Sequence, residues 1–423
     1  MKSLTRSLRL GLHLILSVIV ANCSGSSLSS NSLTCGTASF SGPKPSNGSA
    51  ANITTPLSVN GSDVNVTALT VGCGYNNDLC VSAKVCAPGS TTNCVTINNL
   101  LLDTGSYGLR VFSAALGSVV SSLTQVQVSS TNLGECVAYA DGTHQWGPVK
   151  LADIQIGSLT ASSVPMMVID PSFGKRSVTN CSGTMDAQSG GYNGILGIGV
   201  EAQDCGSTCV GSAANGEYYI CTGSSCSGST VPLASQVTNP VTMLSAHNNG
   251  TIVQLTNVSD TGSSSAGGYL ILGIDTAANN TSTGRTYFSV DTNGNFQTVW
   301  NSTTMSKSFI DSGSNALFMS TVSPLTLCVD GSGFYCPGNI DAFSATMKGS
   351  SGANATTVNF NVSDALFLVG QCSAPTAFNN LAVHSSSTTV FDWGLPFFFG
   401  RSVYTGIRGT SGHSLGTPPY WAF

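Results

Sequence analysis

Asn99-Leu100-Leu101-Leu102-Asp103-Thr104-Gly105-Ser106 is an apolar run that ends in an acid, a hydroxyl residue, a glycine and a serine. Ser308-Phe309-Ile310-Asp311-Ser312-Gly313-Ser314 repeats the pattern in the second half of the chain. Each reads as a buried strand running into a tight polar turn. The echo continues downstream, with Ile195-Leu196-Gly197 following the first turn and Phe398-Phe399-Gly400 following the second at a similar distance. One such turn is a weak signal, but two with matching sequels imply a duplicated unit. The expected architecture is all-β and bilobal, a duplicated lobe related by a pseudo-twofold axis.

The rest of the chain agrees with a β protein. Val126 and Val128 alternate with Gln125 and Gln127, and Ile154 and Ile156 flank Gln155. Val358, Phe360 and Val362 alternate with Asn359 and Asn361. A period of two marks half-buried strands. Asn249-Gly250 and Asn293-Gly294 favour hairpin turns, and a short helix is expected only around residues 241–247. Of 423 residues, 14 are basic and 19 acidic, so 8% are charged. That is about a third of the usual share, too few for a nucleic-acid surface, a coiled coil or a charge-rich disordered chain. Nucleic acid is therefore not an expected partner. His-Glu-x-x-His and a phosphate-binding glycine loop with Lys are both absent from the sequence.

The two turns suggest a chemistry. A carboxylate at the end of a buried strand is costly unless hydrogen-bonded. Thr104, Ser106, Ser312 and Ser314 supply hydroxyls, and Gly105 and Gly313 let a second backbone approach closely. If a twofold axis brings Asp103 and Asp311 together, the pair shares one proton over a broad acidic to neutral range. The ionised partner then takes a proton from water while the protonated one polarises a carbonyl. That is amide hydrolysis by general acid–base catalysis, without a covalent intermediate. Pepsin carries such a dyad. No metal and no cofactor are expected.

Over roughly residues 90–423 the sequence resembles the pepsin-like aspartic peptidases, which implies two β-barrel-like lobes with a cleft between them. The resemblance is carried by Asp103-Thr104-Gly105-Ser106, Asp311-Ser312-Gly313-Ser314, Asn193-Gly194-Ile195-Leu196-Gly197 and Phe398-Phe399-Gly400. It implies Asp103 and Asp311 as the catalytic pair, Thr104 and Ser312 as the braces of the two loops, and Ser106 as a support for the first aspartate. Cys136-Val137-Ala138-Tyr139-Ala140-Asp141-Gly142 is similar to the flap hairpin, which implies that Tyr139 and Gly142 close over a peptide or protein substrate. The sequence departs from that family in several places. Arg110 stands where a tryptophan usually bonds the flap tyrosine, and Trp146 is the candidate to replace it. Pro396 interrupts the approach to the second apolar-apolar-Gly segment, and the cysteine-rich residues 205–226 have no counterpart. The whole chain is more closely similar to an uncharacterised family of bacterial exported, lipoprotein-like proteins.

Lys2, Arg6 and Arg9 precede the apolar Leu10 to Val20 and then Ala21-Asn22-Cys23, the anatomy of an export signal over residues 1–22. Val20-Ala21-Asn22-Cys23 resembles a lipobox, which implies lipidation of Cys23 and a bacterial cell-envelope location, the alternative being simple secretion. Residues 23–70 read as a Ser/Asn/Thr-rich flexible tether. The N-terminal lobe is expected at 71–238 and the C-terminal lobe at 239–423. Fifteen cysteines minus Cys23 leave an even number, compatible with seven disulfides in an oxidising compartment. Cys205, Cys209, Cys221 and Cys226 read as local disulfides in preference to a zinc site. His144 reads as a solvated loop residue. The competing functional class is an envelope scaffold that uses the groove without chemistry. Carboxylate separation discriminates the two: oxygens within hydrogen-bond reach favour catalysis.

Overall fold

The computed structural model describes residues 57–139, 142–176, 181, 184–185, 188–322, 325–371 and 374–423. The protein is mostly β, with helices of at most a few residues. No described helix is long and apolar enough to cross a membrane.

The duplication visible in the sequence is a duplication of topology. In the first half, Cys94–Asp103 and Tyr107–Phe112 form the two arms of the Asp103 turn. Gly194–Ile198 lies between them, parallel to the first arm and antiparallel to the second. Leu159–Ile169 then pairs in parallel with the outer side of the second arm. In the second half, Thr303–Ile310 and Leu317–Met319 are the arms around Asp311. Asp392–Trp393 lies between them with the same two polarities, and Ala382–His384 runs parallel outside. Strands in this setting are covered on both faces and read as continuous apolar runs. Leu100, Leu101 and Leu102 are accordingly all fully buried.

A six-stranded antiparallel run joins the halves: Tyr287–Ser289, Tyr420–Ala422, Ser402–Gly406, Gly250–Leu255, Ala266–Leu272 and Val66–Val71. Val66–Val71 also touches the first half through Thr70 and Val71, opposite Cys80 and Leu79. This corrects the expected tether, which was drawn through residue 70. Order already exists at Leu57, whose N–H donates to Gln254 Oε1 at 3.0 Å. Val66, Leu69 and Val71 are buried in the strand that follows. The composition of the tether masked a short apolar pattern. Two expected hairpins are also corrected. Gly250 opens a strand, and Asn293-Gly294 sits in a turn held by Asp291 that connects Tyr287–Ser289 to Phe296–Trp300, strands that do not pair with each other.

Six disulfides lie among the described residues: Cys73–Cys80, Cys86–Cys94, Cys136–Cys181, Cys205–Cys209, Cys221–Cys226 and Cys328–Cys336. They mark an extracellular or exported protein, since cytosolic thiols stay reduced. Cys23, Cys35 and Cys372 lie outside the described residues, as do the expected signal segment and most of the tether.

Candidate active site

Asp103 closes its strand and Asp311 directly follows its own, both fully buried. The turns grip each other reciprocally. Thr104 Oγ1 donates to the Ile310 carbonyl at 2.9 Å and accepts from Ser312 N at 2.9 Å. Ser312 Oγ donates to the Leu102 carbonyl at 2.6 Å and accepts from Thr104 N at 3.1 Å. Four hydrogen bonds between the two turns thus satisfy six polar groups that burial would otherwise leave unpaired.

Each carboxylate is held by its own turn. Gly105 N donates to Asp103 Oδ1 at 2.7 Å, and Gly313 N to Asp311 Oδ1 at 2.8 Å. Ser106 Oγ donates to Asp103 Oδ2, and Ser314 Oγ to Asp311 Oδ2 at 2.8 Å. The glycines are required by close approach. A Cβ on Gly105 would stand 2.7 Å from Asp311 Cγ, and one on Gly313 would stand 2.8 Å from Asp103 Cγ. Each carboxyl thus lies against the glycine of the other turn. The Asp311 carboxyl is pushed well above the usual range, first by burial and then by the neighbouring Asp103 and Asp392 carboxyls. Two carboxyls this close retain one proton between them. All eight residues expected at the two turns are therefore brought together.

The second apolar-apolar-Gly assignment is corrected. In the first half Leu100, Leu101, Leu102 and Asp103 stand opposite Gly194, Ile195, Leu196 and Gly197. In the second half Phe309 and Ile310 stand opposite Asp392 and Trp393. The counterpart of Ile195-Leu196-Gly197 is thus Asp392-Trp393-Gly394, and not Phe398-Phe399-Gly400. Pro396 explains the difference: Leu395–Phe397 form a single 3₁₀ turn, which carries Phe398 and Phe399 away from the Asp311 strand. An acid in the apolar motif hid it, and so sequence reasoning missed Asp392, which is 1% exposed.

The hairpin formed by Thr131–Ala138 and Thr143–Ile156 carries Tyr139 and Gly142 at its tip. Gly142, at φ +84°, takes the left-handed turn and donates its N–H to the Tyr139 carbonyl at 3.1 Å. Tyr139 is 7% exposed, packs in a cluster with Leu101, Phe112 and Ile195, and donates from its hydroxyl to Gln145 Oε1 at 2.8 Å. Trp146 does not fill the expected role, because its single indole N–H donates to the Phe173 carbonyl at 2.8 Å. His144 is not solvated but 2% exposed, since it lies in the strand opposite Ala138.

Arg110 also proves more than a vacancy for tryptophan. It is 2% exposed, and its guanidinium binds Glu135 Oε1 on the hairpin at 2.5 Å and Asp204 Oδ2 at 2.8 Å. Tyr218 donates to the other Asp204 oxygen at 2.7 Å. Tyr218–Thr222 and Ser225–Gly228 add two strands to the hairpin, with Tyr218 opposite Glu135. The cysteine-rich segment is therefore a disulfide-braced extension of the hairpin. Its cysteines are paired, as are those of a second thiol-acid cluster at Cys73, Asp78 and Cys80, and so they offer no thiolate to a metal.

Burial raises the carboxyls of Asp204, Asp311 and Asp392, and lifts Asp78 to about 6 although three backbone N–H groups donate to it. An acid raised in the folded state contributes stability that is complete below its unfolded pKa and is lost as pH rises through the folded value. Stability is therefore expected to increase from pH 7 to about pH 4, by ~1.4 kcal/mol per pH unit for each extra proton held. Thermal unfolding followed by circular dichroism at several pH values checks this. A midpoint that falls steadily on acidification would contradict it.

Three comparisons bear on these observations. A family model described as a protein of unknown function, DUF3443, matches residues 56–423. The fold is similar to that of an aspartic proteinase from Irpex lacteus at 14% identity and a TM-score of 0.46, covering 84% of this chain and 96% of that one. No curated protein matches.

Proposed function

The chain belongs to the DUF3443 family of proteins of unknown function, and from its two interlocked turns we propose that it is an aspartic-type endopeptidase. The observation that carries the reading is the pair of fully buried carboxyls, Asp103 and Asp311, each set against the glycine of the other's turn inside the reciprocal Thr104 and Ser312 brace. The ionised member of the pair draws a proton from a water as that water attacks the peptide carbonyl. The protonated member donates to the carbonyl oxygen. Collapse of the tetrahedral intermediate returns a proton to the leaving amine, and no acyl-enzyme forms. Gly105 and Gly313 N–H groups, with Ser106 and Ser314 hydroxyls, stabilise the negative charge that the pair carries throughout. The hairpin bearing Tyr139 and Gly142 covers the peptide in a cleft between the two lobes, divided near residues 238–239.

A silent scaffold would be favoured by separated or salt-bridged carboxyls. Among the described residues the ion pairs belong to Arg110 and Arg408, and neither involves Asp103 or Asp311. The proposed location is the bacterial cell envelope, with Cys23 as the lipid-bearing mature N-terminus. Purified protein should cleave members of a diverse peptide library between about pH 3 and pH 8, most strongly on the acid side, where one proton remains on the pair. Failure to cut any member across that range would remove the enzyme reading.

A further inference from the structure

The two halves provide their own control on what belongs behind each aspartate. Leu101 and Phe309 each lie two residues before an aspartate, on the same strand face as that aspartate. Across the return strand they meet Ile195 and Asp392 respectively. On the far arm, seven residues after each aspartate, the partners are Arg110 and Phe318. The first half therefore places Leu101, Ile195 and Arg110 in one row, and the second places Phe309, Asp392 and Phe318. Arg110 has carboxylate partners. Among the described residues no cation pairs with Asp392, and neither of its oxygens makes a hydrogen bond of ordinary geometry; the Ser314 side chain is a weaker hydrogen-bond partner that only partly offsets the upward push of burial. A carboxyl buried in this way costs on the order of several kcal/mol, a cost that the isoleucine in the other half does not incur.

We propose, on the premise that Asp103 and Asp311 are a proton-sharing pair, that Asp392 is a positioning residue that keeps the shared proton on that pair to higher pH. The chemistry involves only O–H bonds. Three carboxyls, Asp103, Asp311 and Asp392, occupy one buried layer. In the low dielectric of that layer each further negative charge is opposed by the others. Ser314 lies between the parts: its hydroxyl donates to Asp311 Oδ2, and its backbone carbonyl accepts from Leu395 N at 2.7 Å, just beyond Gly394. A Cβ on Gly394 would stand 2.7 Å from that same carbonyl, so the strand carrying Asp392 is pressed against the second turn.

Among the described residues no cation weakens the effect. The elements packed on Asp392 present Asp311 and Asp103 from the turns, and uncharged Phe309 and Phe318 from the flanking strands. Lys307, farther along the Asp311 strand, is exposed. The cavity that Arg401 lines with Trp393 and Phe397 does not include Asp392. Repulsion from Asp392 raises Asp311, so the singly protonated pair survives further toward neutral pH than it would with an apolar neighbour.

Two variants test this. Asp392→Asn keeps the side-chain volume, and Asp392→Ile copies the first half. In both, the alkaline limb of the kcat/KM profile should move to lower pH by about one unit, leaving activity about tenfold lower on that limb. Infrared titration of the protonated-carboxyl band, which needs no substrate, should show the remaining pair losing its proton at correspondingly lower pH. That arm judges the proposal even if the wild type cleaves nothing, an outcome that would remove the peptidase reading alone. An unmoved or upward-moved titration in Asp392→Asn overturns the proposal. So does loss of near-ultraviolet circular dichroism in that variant, because the carboxyl would then be structural.

Discussion

Asp103→Asn and Asp311→Asn should each lower peptide cleavage by at least about 10³-fold while leaving the thermal midpoint within a few degrees of the wild type. The asymmetry between the two readouts follows from the geometry. An amide fits where the carboxyl was: its oxygen can still accept from the glycine N–H, and its NH2 can donate to the serine oxygen once that hydroxyl turns its proton away. What it cannot do is exchange the proton on which both steps of the hydrolysis depend. General acid–base participation of one group is worth about 10² to 10⁴-fold, and each member of this pair acts as both acid and base within one cycle. Stability should not suffer, because replacing one of two mutually repelling buried acids relieves repulsion. The measurement is steady-state cleavage alongside calorimetric unfolding. Equal activity in either variant would show that the pair is not the reacting group.

Arg110→Met should cost about 3–5 kcal/mol at pH 7, the expected effect of removing one partner from a buried ion pair and stranding the other. Here two carboxyls are stranded, Glu135 with no exposure and Asp204 on the cysteine-rich extension. Burial and Glu135 already raise Asp204. Without the guanidinium it would take up a proton more readily still, so the deficit should shrink as pH falls toward about 4. Denaturant unfolding of both proteins at pH 7 and pH 4 tests this. A loss below about 1 kcal/mol at pH 7 would mean that the buried triad does not hold the hairpin to the strand after the Asp103 turn.

The two aspartate turns were legible because the sequence states them twice, and the second copy removes the ambiguity of a lone Asp-Thr-Gly. The return strand of the first half was legible for the same reason. That of the second half was not, because an aspartate stands where the pattern calls for an apolar residue, and the nearby Phe398-Phe399-Gly400 matched the pattern better. Only strand register, with Phe309 opposite Asp392, identifies the true counterpart. The Arg110 cluster was equally hidden, since Glu135 and Asp204 are remote in sequence and meet only through pairing of the hairpin with its extension. Tyr139 lay at the hairpin tip as expected. Its hydroxyl partner, Gln145, carried no pattern that distinguishes it from other polar residues of a half-buried strand.

The most direct test of the account is digestion of a diverse peptide library in ¹⁸O-labelled water at the pH of greatest turnover. Wild type, Asp103→Asn and Asp311→Asn would be run side by side and the new termini read by mass spectrometry. The account predicts new carboxyl termini carrying a solvent oxygen with the wild type, and none above background with either variant. A wild type that cuts nothing between about pH 3 and pH 8, or variants that cut as the wild type does, would contradict it.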